Sequence, residues 1–265
     1  MTPRVVMVSD CTDVAAAELY LAVDRAVRET DPSVSVQIGP LVPVRPYSIL
    51  HTAFLTRLLA ESAAPGTVLM VVVNSRPERT ERLVGRTGHG DLFFAGANTG
   101  ALGWLTADLG VRECYELTDP GFVPFGGKFV HAPAVGALAA GTPLARLGLP
   151  FPADRIRRLL PQEGTVVHVD NFGNAKFPLA AGALRFGDRL RVRIGGHVLD
   201  AVYWERMMDL ADGTWVVYPG SSLGLHELGQ VRSAGLHGLG CAVGDRVRVD
   251  VSRPCSGAPP GTSSP

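Results

Sequence analysis

This chain has no net charge: 25 lysines and arginines stand against 25 aspartates and glutamates. No global field therefore draws it to nucleic acid or to an anionic membrane surface, and no nucleic-acid partner is expected. Extended apolar stretches do not occur either. Nowhere do about 18 consecutive apolar residues occur, roughly the number a membrane span needs, so no membrane partner is expected. Met1 is followed closely by the strand-like Arg4-Val5-Val6-Met7-Val8, without a basic segment leading into a sustained apolar region. A signal peptide is not expected, and the reading is a cytoplasmic protein. Cysteine is sparse and scattered at Cys11, Cys114, Cys241 and Cys255. That spacing fits neither a zinc site nor a secreted disulfide scaffold, and free thiols are the simplest reading. None of the seven histidines stands at metal-ligand spacing, so no metal is expected and His131 and His168 read as structural.

What is present is a composition able to bury a core, with 46% apolar and 19% charged residues over a length that fits one large or two modest domains. The first part alternates apolar runs with helical patterns, as a sheet with covering helices does. Arg4 to Val8 reads as a buried strand. Thr12 or Asp13 can cap a helix whose apolar side holds Ala16, Leu19, Tyr20, Val23 and Val27. Val34, Val36 and Ile38 alternate as a strand, and Tyr47 to Ser62 reads as a helix. Thr67 to Val73 is a continuous, valine-rich run expected to be a central strand. Asp91 to Ala95 is another strand, followed by a glycine loop and a short helix through Leu105. Pro133 to Ala140 reads as a helix. Prolines 150, 152 and 161 around Arg155, Arg157 and Arg158 suggest a boundary.

Beyond it the pattern becomes one of short strands separated by glycine turns: Val166 to Val169, Arg189 to Ile194, Val198 to Tyr203, Thr214 to Val217 and Arg246 to Val251. Gly195-Gly196 marks a hairpin. The fold class is therefore α/β: an N-terminal α/β domain with a central, mostly parallel sheet over 1–150, a linker over 151–163, and a smaller C-terminal β-barrel-like domain over 164–252. The proline-, glycine- and serine-rich 253–265 is expected to be a disordered tail.

Several segments, in order, resemble the family of S-adenosylmethionine-dependent fluorinases, chlorinases and hydroxide adenosyltransferases. They are Ser9-Asp10 at the end of the first strand, Pro65-Gly66-Thr67-Val68, Asn98-Thr99-Gly100-Ala101-Leu102, Phe125-Gly126-Gly127-Lys128 with Ala132-Pro133, Val169-Asp170-Asn171-Phe172-Gly173-Asn174, and Ser221-Ser222-Leu223-Gly224. The resemblance extends over nearly the whole chain to about Val251, and Asp170-Asn171-Phe172-Gly173-Asn174 is its most specific element. It implies S-adenosylmethionine as substrate or cosubstrate. It also implies a homotrimer with ligand sites at subunit interfaces, and displacement of methionine from C5′ by halide or water, in a setting of secondary metabolism.

Carried over by resemblance, Asp10 holds the ribose hydroxyls, Asp170 the methionine ammonium, Asn174 the adenine edge and Ser222 the methionine carboxylate, with Phe172 counted among the cofactor-binding residues. Plainer readings stand beside these: a helix cap for Asp10, a loop-holding turn for Asp170 and Asn174. Leu223 replaces the arginine of fluorinase-like sequences. The hydroxide enzymes carry an aspartate where this chain has Asn74 and a histidine where it has Gly126. Neither an amide nor a glycine takes up a proton at neutral pH. Asn74, Phe125 and Gly127 thus form the expected catalytic set for halide or another non-water nucleophile, Gly127 through its backbone amide. Arg45, Arg76 and Lys128 are either further polar groups of that pocket or exposed loop residues. The alternative is a protein that binds S-adenosylmethionine without turnover, or one that carries out a different reaction on a separate acceptor.

Overall fold

The computed structural model describes residues 2–73, 80–118, 121, 123–180, 182 and 184–252. Asn74, Arg76, Cys255 and the tail 253–265 lie outside the described residues. The chain divides into two compact units between Leu160 and Pro161.

The first unit carries β1 (Arg4–Ser9), α1 (Val14–Thr30), β2 (Gln37–Ile38), β3 (Val42–Pro43), α2 (Ile49–Ser62), β4 (Val68–Val72), β5 (Arg82–Thr87), β6 (Phe93–Ala97), α3 (Gly103–Leu109), β7 (Val111–Leu117), α4 (Ala132–Ala139) and β8 (Gly148–Pro150). Its sheet runs β2-β1-β4-β6-β5-β7-β8, with β3 also on β1. Pairing is parallel from β2 through β6 and antiparallel from β6 through β8.

The unbroken apolar run of β4 follows from burial on both faces. Val68 and Met70 point into a core with Leu19, Val23 and Val27 of α1 and Val135 and Leu138 of α4. Leu69 and Val71 point the other way, into a core with Ala60 of α2 and Leu105 of α3. The unit is thus three layers, helix, sheet and helix. Asp13 caps α1 by accepting a hydrogen bond from the Ala15 amide at 3.0 Å. Residues 151–160 pack on this unit, burying Phe151 and Ile156 in its second core. Asn98 staples them: its amide nitrogen donates to the Arg155 carbonyl at 3.2 Å, and its oxygen accepts from the Arg157 amide at 2.7 Å.

The second unit is all β: β9 (His168–Val169), β10 (Ala175–Phe177), β11 (Arg189–Ile194), β12 (His197–Tyr203), β13 (Trp215–Pro219), β14 (His226–Gln230) and β15 (Arg248–Val251), in the order β15-β11-β12-β13-β14-β10-β9. Every pair is antiparallel except β12 with β13. Gly195 and Gly196 both take positive φ in the two-residue turn joining β11 to β12, a conformation open to glycine at no steric cost. The segments leading into β9 and β15 bridge each other at Thr165 and Arg246, which brings the two ends of the sheet together in barrel-like fashion. Its interior holds Phe177, Val192, Val217 and Leu228. Among the described residues no helix is long and apolar enough to cross a membrane. Cys11, Cys114 and Cys241 are free thiols.

Candidate functional site

Strand alternation builds the site of the second unit. Val169, Ala175, Leu228 and Val217 are mutually registered and face the core. One step along, His168 lies opposite Lys176, Lys176 opposite Glu227 and Glu227 opposite Tyr218. Four strands therefore lay a polar row across the opposite face. Within it, the Lys176 ammonium pairs with Glu227 Oε1, and the Tyr218 hydroxyl donates to Glu227 Oε2 at 2.8 Å. Burial, then the neighbouring Glu227 carboxylate, pushes the Tyr218 hydroxyl well above its ordinary pKa, so it stays a donor. Burial, then Lys176, holds His168 below its ordinary value.

A second row begins with the Asp170–Asn174 loop. Asp170 Oδ1 accepts from the backbone amides of Phe172 and Asn174, each at 2.9 Å, and Oδ2 accepts from Asn174 Nδ2 at 3.1 Å. The loop-holding reading of Asp170 is thus realised, and the same bonds fix the carboxylate in place. They also take one of the two N–H donors of the Asn174 side chain. Asn174 Oδ1 is left buried without a hydrogen-bond partner among the described residues. It packs against Gly229, where any Cβ would overlap it.

Above both rows opens a cavity of about 1230 Å³. Asp170, Phe172, Asn174, Lys176, Tyr218 and Glu227 line it together. Phe172 is exposed, an aromatic platform beside Asn174. Ser222 is buried in the turn that precedes β14, and its neighbour Ser221 lines the cavity. Lys176, Glu227 and Tyr218 were not singled out from the sequence, and Ser221 entered only as part of the Ser221-Ser222-Leu223-Gly224 segment. The only local signal was the polar-apolar alternation Asn174-Ala175-Lys176-Phe177.

In the first unit, Asp10 follows the carboxyl end of β1. The chain returns to the sheet on one side of β1 as β2 and on the other as β4, a topological switch point of the kind where open α/β sheets place ligands. Asp10 Oδ2 accepts from the Tyr47 amide at 3.0 Å. Tyr47 is 70% exposed and adopts a φ of 61°, an uncommon conformation for a bulky residue. Neither its position nor its strain was anticipated.

Gly127 opens a π-helical turn, Gly127–His131, and a Cβ there would sit 2.6 Å from Val72 and 3.2 Å from Leu19 and Phe125. Glycine is what lets this turn press onto β4 and α1. At Gly126 a Cβ would lie 2.7 Å from the Arg82 guanidinium, which fills that space. Lys128 pairs with Glu18 of α1 and sits over the Phe129 ring. Arg45 is exposed.

A family model described as the SAM hydroxide adenosyltransferase N-terminal domain matches residues 11–148. A curated (R)-S-adenosyl-L-methionine hydrolase of Thermus thermophilus is 28% identical over 267 residues, spanning 90% of this chain and 97% of the relative. Two crystal structures share the fold. An uncharacterized conserved protein from Thermotoga maritima has a TM-score of 0.78 at 22% identity, covering 93% of this chain and 100% of its own. A conserved hypothetical protein from Thermus thermophilus has a TM-score of 0.73 at 24% identity, covering 94% and 100%.

Proposed function

This chain belongs to the SAM hydroxide adenosyltransferase family, and on that premise we propose that it binds S-adenosylmethionine and catalyses nucleophilic substitution at C5′, releasing L-methionine. The nucleophile is halide or another species that needs no protein base. The observation that carries the ligand assignment is the cavity floor of the second unit. There Asn174 Oδ1 is a buried acceptor with no partner, and Asp170 is a fixed carboxylate with no cation paired to it among the described residues. An unmet acceptor and an unmet anion call for a ligand offering an amino donor and a positive group. S-adenosylmethionine has both, in its adenine amino group and its α-ammonium. Phe172 supplies an apolar surface for the base, and Asp10 is the proposed ribose residue.

The proposed catalytic set, Asn74, Phe125 and Gly127, positions and desolvates the nucleophile, since the sulfonium already activates C5′. Support for a nucleophile other than water comes from Gly126. The space that the family's histidine would need is filled by Arg82, whose guanidinium offers only donors and takes up no proton. A second reading, hydrolysis of S-adenosylmethionine, is favoured by the curated Thermus thermophilus relative, which is a hydrolase.

Incubation with S-adenosylmethionine, with and without chloride or fluoride, followed by mass spectrometry of methionine and adenosyl products, separates the readings. Methionine release that depends on halide, with a 5′-halogenated product, is expected. Equal release of adenosine in halide-free buffer would establish hydrolysis instead, and binding without release would make the chain a binding protein. A homotrimer is part of the proposal, and light scattering should return three times the chain mass.

A further inference from the structure

The polar row leaves one cation incompletely used. Lys176 is buried, and its ammonium carries three N–H donors, of which Glu227 Oε1 takes one. No other partner of Lys176 occurs among the described residues. Both oxygens of Glu227 are engaged, since the second accepts from Tyr218. Glu227 Oε1 also lies against Gly220, where a Cβ would come within 2.6 Å of it. That contact places the ion pair beside the turn bearing Ser221 and Ser222. The residue that follows them is Leu223, so the turn itself offers no cation.

The cavity's charge pattern narrows what Lys176 can meet. Asp170 and Glu227 both line it, while Arg206 and Arg232 on the wall are paired with Asp209 and Asp212. A polyanion would find the carboxylates of Asp170, Glu205 and Glu227 against the single ammonium of Lys176. A single carboxylate with an ammonium next to it suits the arrangement far better. The backbone bond from the Asp170 amide to the Asn174 carbonyl puts Asp170 opposite Asn174, so Asp170 and Lys176 are diagonal neighbours on one face. Such neighbours are about 7–8 Å apart, a span that a short aspartate and a long lysine can close around an α-amino acid group.

We propose that Lys176 binds the carboxylate of the ligand's amino-acid end, so that the Asp170 and Lys176 diagonal selects an intact zwitterion over its decarboxylated form. This deepens the assignment above and rests on S-adenosylmethionine being the ligand. Lys176 is a specificity-determining residue that reaches the substrate far from the reacting carbon. Its ion pair with Glu227 holds the ammonium in place before the ligand arrives.

The test compares binding of S-adenosylmethionine and of decarboxylated S-adenosylmethionine by calorimetry, using the full chain. The wild type should bind the carboxylate-bearing ligand about 10- to 100-fold tighter, the range that a charge-assisted hydrogen bond gives. The double variant Lys176→Met with Glu227→Gln, which leaves no buried charge unpaired, should bind the two ligands alike, whereas Lys176→Arg should keep the preference. Circular dichroism and melting temperature establish that each variant is folded. Equal affinity of the wild type for both ligands would overturn the proposal, and so would a folded double variant that keeps the wild-type preference. Failure of the wild type to bind either ligand would instead contradict the ligand assignment.

Discussion

The two sheets handle polar side chains in opposite ways. In the first unit the central strands are covered on both faces, and β4 sends Met70 into one core and Leu69 into the other. Every side chain of β4 is apolar, and Asp10 stands past the end of β1. In the second unit one face of β9, β10, β14 and β13 packs the core, while the other carries His168, Lys176, Glu227 and Tyr218 in register. Where both faces are buried, chemistry is confined to strand ends. Where one face is open, it can be built across strands, from residues far apart in the chain.

That contrast can be broken deliberately. The largest expected effect is Met70→Ala, a fully buried truncation in the first unit. It should cost about 2–5 kcal/mol in urea unfolding while leaving ligand affinity in the surviving folded protein nearly intact. A large loss of affinity at modest loss of stability would show that the two faces of β4 are not purely structural. Gly229→Ala should do the reverse in the second unit. The added methyl overlaps Asn174 Oδ1, and overpacking of this kind costs about 1–3 kcal/mol. The accompanying shift of the Asn174 amide should weaken S-adenosylmethionine binding by more than the stability change implies. Wild-type affinity in Gly229→Ala would remove Asn174 from the site.

The smallest effect concerns pH. Burial and then Lys176 hold the folded pKa of His168 below its ordinary 6.5. As pH falls, the unfolded chain therefore takes up this proton before the folded one. The stability contributed is fully present above 6.5 and is lost as pH drops through 6.5 toward the folded value. Melting temperatures on either side of that pH should show the decline, and His168→Gln should flatten part of it. His226, also lowered by burial, should keep the remainder. An unaltered pH profile in His168→Gln would mean that the imidazole is as easily protonated folded as unfolded.

The fold was legible wherever local pattern and burial agree. β11 was read with its own boundaries because Arg189 to Ile194 alternates strictly, and Gly195-Gly196 marks the turn that follows. β4 stood out as a continuous apolar run. β5 and β7 were missed because charged residues interrupt them in the antiparallel half of the first sheet. β10 and β14, the strands that carry the cavity floor, were missed as well. One is three residues long, and the other, His226-Glu227-Leu228-Gly229-Gln230, has a single aliphatic residue. Asp170, Phe172 and Asn174 were reached through a contiguous motif. Lys176, Glu227 and Tyr218 were not, because what joins them is cross-strand register, which no local window contains. Tyr47 escaped for a similar reason: its link to Asp10 is a backbone amide, independent of side-chain type.

The most direct test of the central claim is a calorimetric titration of S-adenosylmethionine into the wild type and into Asp170→Asn, which keeps the side-chain shape and removes the charge. One saturable site per chain, about 100-fold weaker in the variant, is the predicted result, as expected when one partner of a buried charge pair is lost. Saturable binding of equal strength in both proteins, or none in the wild type, would contradict the assignment of this polar face to the ligand.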